Sequence, residues 1–309
     1  MAGKNARPTG SQGELAMYAS IRDAIITHAG YGSLKEGMRG LDLWALEIAV
    51  DRSLTASAMQ PTPGDPAPVL NSPAAIAAYS KELENHGARA ATLFVAQDFN
   101  AEDMEAEVKW VADVVRIAEA MGVPAVRIDS IMSGERELPL EERVDTFARG
   151  VTAVLEATAG SQVALGMENH GYQGNDPDFT FPLLEKVGSE RFGMTLDTGN
   201  FYWWGHPLDT VYEIMERLAP MTKHTHLKNI SYPEEVRQTQ REIGWKYGEY
   251  VAPIPDGDVD HARVVQMLQA AGYEGDLCIE DESLGKFQVE ERQAVLRREV
   301  DHIRELMGG

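Results

Sequence analysis

Short apolar runs alternate with longer amphipathic stretches along most of the chain. The runs lie at residues 22–28 (RDAIITH), 43–50 (LWALEIAV), 88–95 (ARAATLFV), 123–128 (VPAVRI), 163–168 (VALGME), 192–197 (FGMTLD), 222–227 (TKHTHL) and 276–280 (DLCIE). Most are nearly continuous in hydrophobicity and close on a polar residue, the pattern of a strand buried on both faces of a parallel sheet. Between them, residues 102–121 place Met104, Val108, Val111, Val115 and Ala118 at helical spacing. Asp98, Asn100 and Glu102 gather at the start of that stretch, where a helix wants caps and negative charge. Residues 141–157, 181–187, 211–218, 261–271 and 288–307 repeat the helical theme. Gly122, Gly160, Gly188 and Gly272 follow helices, where a left-handed cap is favoured. Eight strands, each followed by helix, predict an α/β fold, a (β/α)8 TIM barrel.

The spacing of polar residues agrees with a barrel. Glu168 and Asp197 are 29 residues apart, as are Asp197 and His226, close to the ~30 residues of one βαβ unit. Between His226 and Glu280 the separation grows to 54, so an inserted loop is expected at about 230–257, at an active-site position between the last two strands. Residues 1–20 read as a flexible leader and 21–309 as one barrel domain. The Pro-rich stretch 60–73 reads as a loop after the second strand.

Charge and composition narrow the partners. With 28 basic against 49 acidic residues, a net charge of −21 and a single cysteine, the chain argues against nucleic acid or an anionic membrane as its main partner, and against disulfides and Cys-rich zinc sites. No apolar stretch approaches the ~18 residues of a membrane span, and the first residues lack the apolar core of a signal peptide. A cytoplasmic location is the expectation.

Reactive groups of such a barrel collect at the C-terminal ends of its strands. Read in order, those ends carry His28, Glu47, Gln97, Arg127, Glu168, Asp197, His226 and Glu280. Converging carboxylates repel unless a cation joins them. Glu168, Asp197, His226 and Glu280 form a mostly hard ligand set suited to one divalent metal ion, Mn2+ first, with Mg2+, Co2+ or Zn2+ able to replace it. His28, Arg127, Asn169, His170, Asn200 and Lys228 surround the set as candidate substrate contacts. Each has a structural alternative; Arg127 can pair with Asp129 or Glu47, and Lys228 can simply neutralise acids. Trp203 lies in an aromatic run, FYWW, expected to be too wet for ordinary core. It can stack on a sugar or aromatic aglycone, or pack against a loop or subunit.

The segments 165–171 (LGMENHG), 196–200 (LDTGN), 224–229 (HTHLKN) and 273–282 (YEGDLCIEDE) resemble the sugar isomerase/epimerase members of the xylose isomerase-like TIM barrels, a likeness that runs over about 21–305. It implies one divalent metal on Glu168, Asp197, His226 and Glu280. It also makes Glu168 and Glu280 the catalytic acid/base pair, on opposite faces of a sugar or keto-sugar, working through a metal-stabilised enediolate. Ketose 3-epimerases of the group carry a histidine where this chain has Asn200, and an arginine after the histidine ligand where this chain reads LKN. The motifs ENHG and IEDE are similar also to the metal-binding subunits of C-glycoside deglycosidases, lyases acting on 3-keto-glycosides together with a small partner subunit. Dehydratases and hydroxypyruvate- or inositol-pathway enzymes share the scaffold, as would a sugar-binding barrel without catalysis. A homo-oligomer is compatible with all of these.

Overall fold

The computed structural model describes residues 17–56 and 66–308. Eight parallel strands follow one another around a ring: Tyr18–Arg22, Ala45–Ala49, Arg89–Phe94, Ala125–Ile128, Ala164–Glu168, Phe192–Asp197, Thr222–His226 and Asp276–Ile279. The eighth pairs with the first. Leu227 closes the remaining gap, donating its N–H to the Cys278 carbonyl at 2.7 Å and accepting from Glu280 N at 3.0 Å. Outside lie the helices Leu34–Leu41, Pro73–Asn85, Met104–Met121, Leu140–Ala157, Pro177–Val187, Leu208–Leu218, His261–Ala270 and Val289–Leu306. Asp103, not the earlier acids, caps the helix Met104–Met121. Gly122 and Gly188 are left-handed C-caps as expected. Among the described residues no helix is long and apolar enough to cross a membrane.

Period-two alternation divides each strand between two environments. Ile21, Leu46, Ile48, Leu93, Val126, Leu165, Met167, Met194, Leu196, Leu277 and Ile279 are buried in the apolar core. The alternate positions Ser20, Glu47, Thr92, Arg127, Glu168, Thr195, Asp197, His224, His226 and Cys278 are buried too. The barrel interior is therefore largely polar, where a TIM barrel ordinarily packs branched aliphatic side chains. Gly166 belongs to this face: a Cβ there would meet Thr195 Oγ1 at 2.6 Å.

The first strand is earlier than expected. Residues 18–22 form it, and Asp23–His28 is a short helix. The β-branched run in 22–28 reads as a strand, but buried Asp23 accepts from Ala24 N at 2.7 Å and Ala49 N at 3.0 Å and turns the chain. The barrel thus begins before residue 21; of the stretch 1–20 read as a leader, residues 1–16 lie outside the described ones. Of the Pro-rich stretch 60–73, residues 60–65 lie outside them as well, and Pro73 already opens a helix. The helix Pro73–Asn85 was absent from the periodic stretches, because only Ile76, Tyr79 and Leu83 mark its buried face among alanines and polar residues.

Residues 230–257, expected as an inserted loop, lie between the seventh and eighth strands. They hold a two-stranded ribbon, Asn229–Ile230 with Val251–Ala252, and the short helix Tyr247–Tyr250. Arg241 is its internal strut. The guanidinium lies 4.5 Å from the ring centres of both Tyr202 and Tyr232 and donates to the carbonyls of Val236, Thr239, Tyr202 and His206.

Candidate metal centre

Glu168, Asp197 and His226 end the fifth, sixth and seventh strands, and Glu280 follows the eighth directly. Their ligand atoms lie within 4.8 Å of one another, and all four side chains are buried. His226 Nδ1 is 3.4 Å from Glu168 Oε1 and 3.2 Å from Glu280 Oε2. Neighbours hold the remaining atoms. Asp197 Oδ1 accepts from Gly199 N at 2.8 Å and Asn200 N at 2.7 Å. Glu47 Oε2 lies 3.0 Å from His226 Nε2, the placement of a carboxylate behind a metal-binding histidine; against the effect of burial, Glu280, Glu47 and Glu168 raise His226 well above the ordinary imidazole range, so a cation at Nδ1 would replace a proton. Asp197 Oδ2, His226 Nδ1 and Glu280 Oε2 remain buried without a hydrogen bond. These three atoms lack hydrogen bonds and meet only ion-pair partners; an oxygen-rich set with one nitrogen, converging within 4.8 Å, fits a divalent ion.

The chain also supplies cations. Arg127 Nε donates to Glu168 Oε2 at 2.6 Å. Lys228 Nζ lies 3.1 Å from Glu280 Oε2 and 3.3 Å from Asp197 Oδ2. Arg22, which the misplaced first strand concealed, pairs with Glu280. Charge balance among the acids thus does not by itself demand a metal, and the convergence of four ligand-type side chains carries that inference instead. Burial opposes ionisation of Glu168 and Glu280, yet Arg127 and His226 hold the first well below the usual carboxylate range, and His226 and Lys228 the second. Burial lifts Asp197 to about 7 in spite of Lys228, with Glu168 and Glu280 adding to it.

The expected substrate contacts divide. Asn169 is buried and clamps Asp197, donating to its carbonyl at 3.0 Å and accepting its N–H at 2.8 Å, which positions that side chain. Asn200 donates to Glu168 Oε1 at 3.1 Å; standing where related epimerases have histidine, it holds a carboxylate. Arg127 is committed to Glu168 and Asp129. Lys228 reaches Glu282 at 2.8 Å. His170, half-buried, sits 3.1 Å from Asp129; burial works against its charge, but the Asp129 carboxylate raises it to about 8. His28 is exposed at the end of its helix and is not a strand-end residue. The FYWW run is half core, with Trp203 and Trp204 partly buried. Phe201 and Tyr202 are fully buried core, and Trp203 packs on the insertion at Gly244, whose N–H donates to the Trp203 carbonyl at 2.9 Å. The reason is the insertion itself, which covers this short helix.

Missed from sequence were the supporting roles of Glu47, Asn169 and Arg22, and the link from the insertion to the site through Tyr247, whose hydroxyl donates to Glu282. For Glu47 a signal existed: an acid in the middle of an apolar strand.

Fold and site define a family, and the chain belongs to it: the xylose isomerase-like TIM barrels, matched over residues 46–306. Within that family it is similar to inosose dehydratase of Yersinia enterocolitica, 28% identical over 137 residues, which are 42% of this chain and 44% of that protein. The chain spans about half the length of the curated relatives it matches. Among solved structures it is similar to an IOLI protein with a bound zinc atom, with a TM-score of 0.68 and 14% identity over 93% of this chain and 98% of that one. L-ribulose 3-epimerase gives a TM-score of 0.65 and 15% identity, covering 94% of this chain and 95% of the other. At such identities these structures speak to the fold alone.

Proposed function

We propose that the protein is a divalent-metal-dependent enzyme that removes a proton from the carbon beside a carbonyl of a sugar or keto-polyol. The observation that carries this reading is the convergence of Glu168, Asp197, His226 and Glu280, all buried, with ligand atoms within 4.8 Å of one another. An ion bound there supplies Lewis-acid stabilisation of negative charge developing on adjacent substrate oxygens. Glu168 and Glu280 flank the same point and are ionised, so each can accept a proton from a carbon held between them. Arg127 and Arg22 keep them ionised and oriented, Asn200 holds Glu168, and Asn169 holds Asp197. Mn2+ is the proposed ion, with Mg2+, Co2+ and Zn2+ as replacements.

Two fates of the resulting enediolate separate the candidate reactions. Return of the proton to the opposite face gives an isomerase or epimerase. Expulsion of a neighbouring hydroxyl gives a dehydratase, a second reading that the partial likeness to inosose dehydratases favours, with half-buried His170, braced by Asp129, as the group able to protonate the departing oxygen. Incubation in deuterated water with a panel of ketoses, 3-keto-glycosides and keto-inositols tests the common step. Expected is metal-dependent deuterium uptake at carbon or loss of water. No exchange with any substrate, with and without metal, would contradict the reading and favour a barrel that only binds.

A further inference from the structure

One layer below this centre, deeper in the barrel, a second convergence has a different chemical character. Glu47, His224, His226 and Cys278 bring ligand atoms within 4.8 Å of one another, and none is exposed. They come from the second, seventh and eighth strands. Two of the atoms facing inward are accounted for elsewhere: His226 Nε2 meets Glu47 Oε2 at 3.0 Å, and His224 Nδ1 faces Asp276 Oδ1 at 2.8 Å and the Thr92 hydroxyl at 3.0 Å. What remains is the ion pair between Glu47 Oε1 and His224 Nε2. Both are buried without a hydrogen bond, and they stand 3.3 Å apart, about the edge of a tetrahedron whose metal–ligand bonds are ~2.0 Å.

We propose that Glu47 Oε1, His224 Nε2 and Cys278 Sγ bind a second divalent cation of the zinc class inside the barrel, independent of the oxygen-rich centre above. A thiolate and an imidazole select a softer ion than three carboxylates do. One thiolate and one carboxylate cancel its charge, which suits a site sealed from water; the thiol proton leaves to solvent on binding. Asp276 behind His224 supplies the outer carboxylate that orients a metal-binding imidazole, and Ser20 donates to the other oxygen of Asp276. Because Glu47 divides its two oxygens between His226 and the inner site, no imidazole is shared between the two ions. Such a buried ion is taken up as the chain folds.

The test uses the full chain, unfolded in chelator and refolded with Co2+ alone. Expected are two bound cobalt ions per chain and a near-ultraviolet thiolate-to-cobalt charge-transfer band. Cys278→Ala should lose the band and one ion, whereas Asp197→Asn should keep the band and lose the other. Wild-type protein without a thiolate band overturns the proposal, leaving Glu47 and His224 as an ion pair only; so does Cys278→Ala that still binds both ions. One ion with the band intact upholds the inner site while counting against the centre above it, so the two readings fail separately.

Discussion

Asp197 sends its oxygens to different ends: backbone amides take Oδ1, and Oδ2 is left facing Lys228. Lys228 therefore competes with any cation for Asp197 and Glu280. Lys228→Met is expected to tighten divalent-metal binding about tenfold, ~1.4 kcal/mol, by titration calorimetry, while raising KM. Unchanged or weaker metal affinity would contradict that competition. Replacing a base acts otherwise: Glu168→Gln or Glu280→Gln should lower kcat by ~10³ or more, read in the deuterium-exchange assay. A structural histidine sets an acid limit. Burial, with the like charge of His302 adding, pushes His261 down to about 3, against ~6.5 when unfolded. A folded value below the unfolded one gives stability that is complete above about pH 6.5 and drains away as pH falls toward 3. Denaturant melts of His261→Gln, uncharged at any pH, should show ~1 kcal/mol or more less acid sensitivity between about pH 6 and pH 4. Of these residues the four proposed ligands were legible, since an acid or histidine closing an apolar strand has little structural use. Lys228's grip on two of them was not, because ion-pair geometry is invisible in a one-dimensional pattern.

Elements were legible in proportion to their periodicity. The fifth to seventh strands, with their 29-residue spacing, lie where the pattern placed them. The first did not: YASIR is less apolar than DAIITH, and the turn at Asp23 depends on an amide from the neighbouring strand, a contact remote in sequence. The same remoteness hid the burial of Tyr202 beneath Tyr232 and Arg241 of the insertion. That insertion depends on Arg241, which spans two aromatic rings and four carbonyls. Arg241→Ala should loosen it at a cost of ~2–3 kcal/mol and expose residues 230–257 to limited proteolysis. Cleavage no faster than in wild type would show that the aromatic cluster holds the segment unaided.

Taken whole, the molecule is a barrel whose outer shell obeys the apolar rule while its interior is charged from the mouth down to Asp276. That interior explains why supporting residues escaped a reading of strand ends: their partners lie across the barrel, on strands distant in sequence. It also makes the centre depend on ring closure between the seventh and eighth strands, since His226 and Glu280 flank that seam. Stripping the protein with chelator should abolish exchange, and Mn2+ should restore it. The most direct measurement is anomalous diffraction at the manganese edge from crystals grown with Mn2+. Expected is a peak bounded by Glu168, Asp197 Oδ2, His226 Nδ1 and Glu280. Crystals with manganese elsewhere only, and Lys228 still seated between Asp197 and Glu280, would contradict the account.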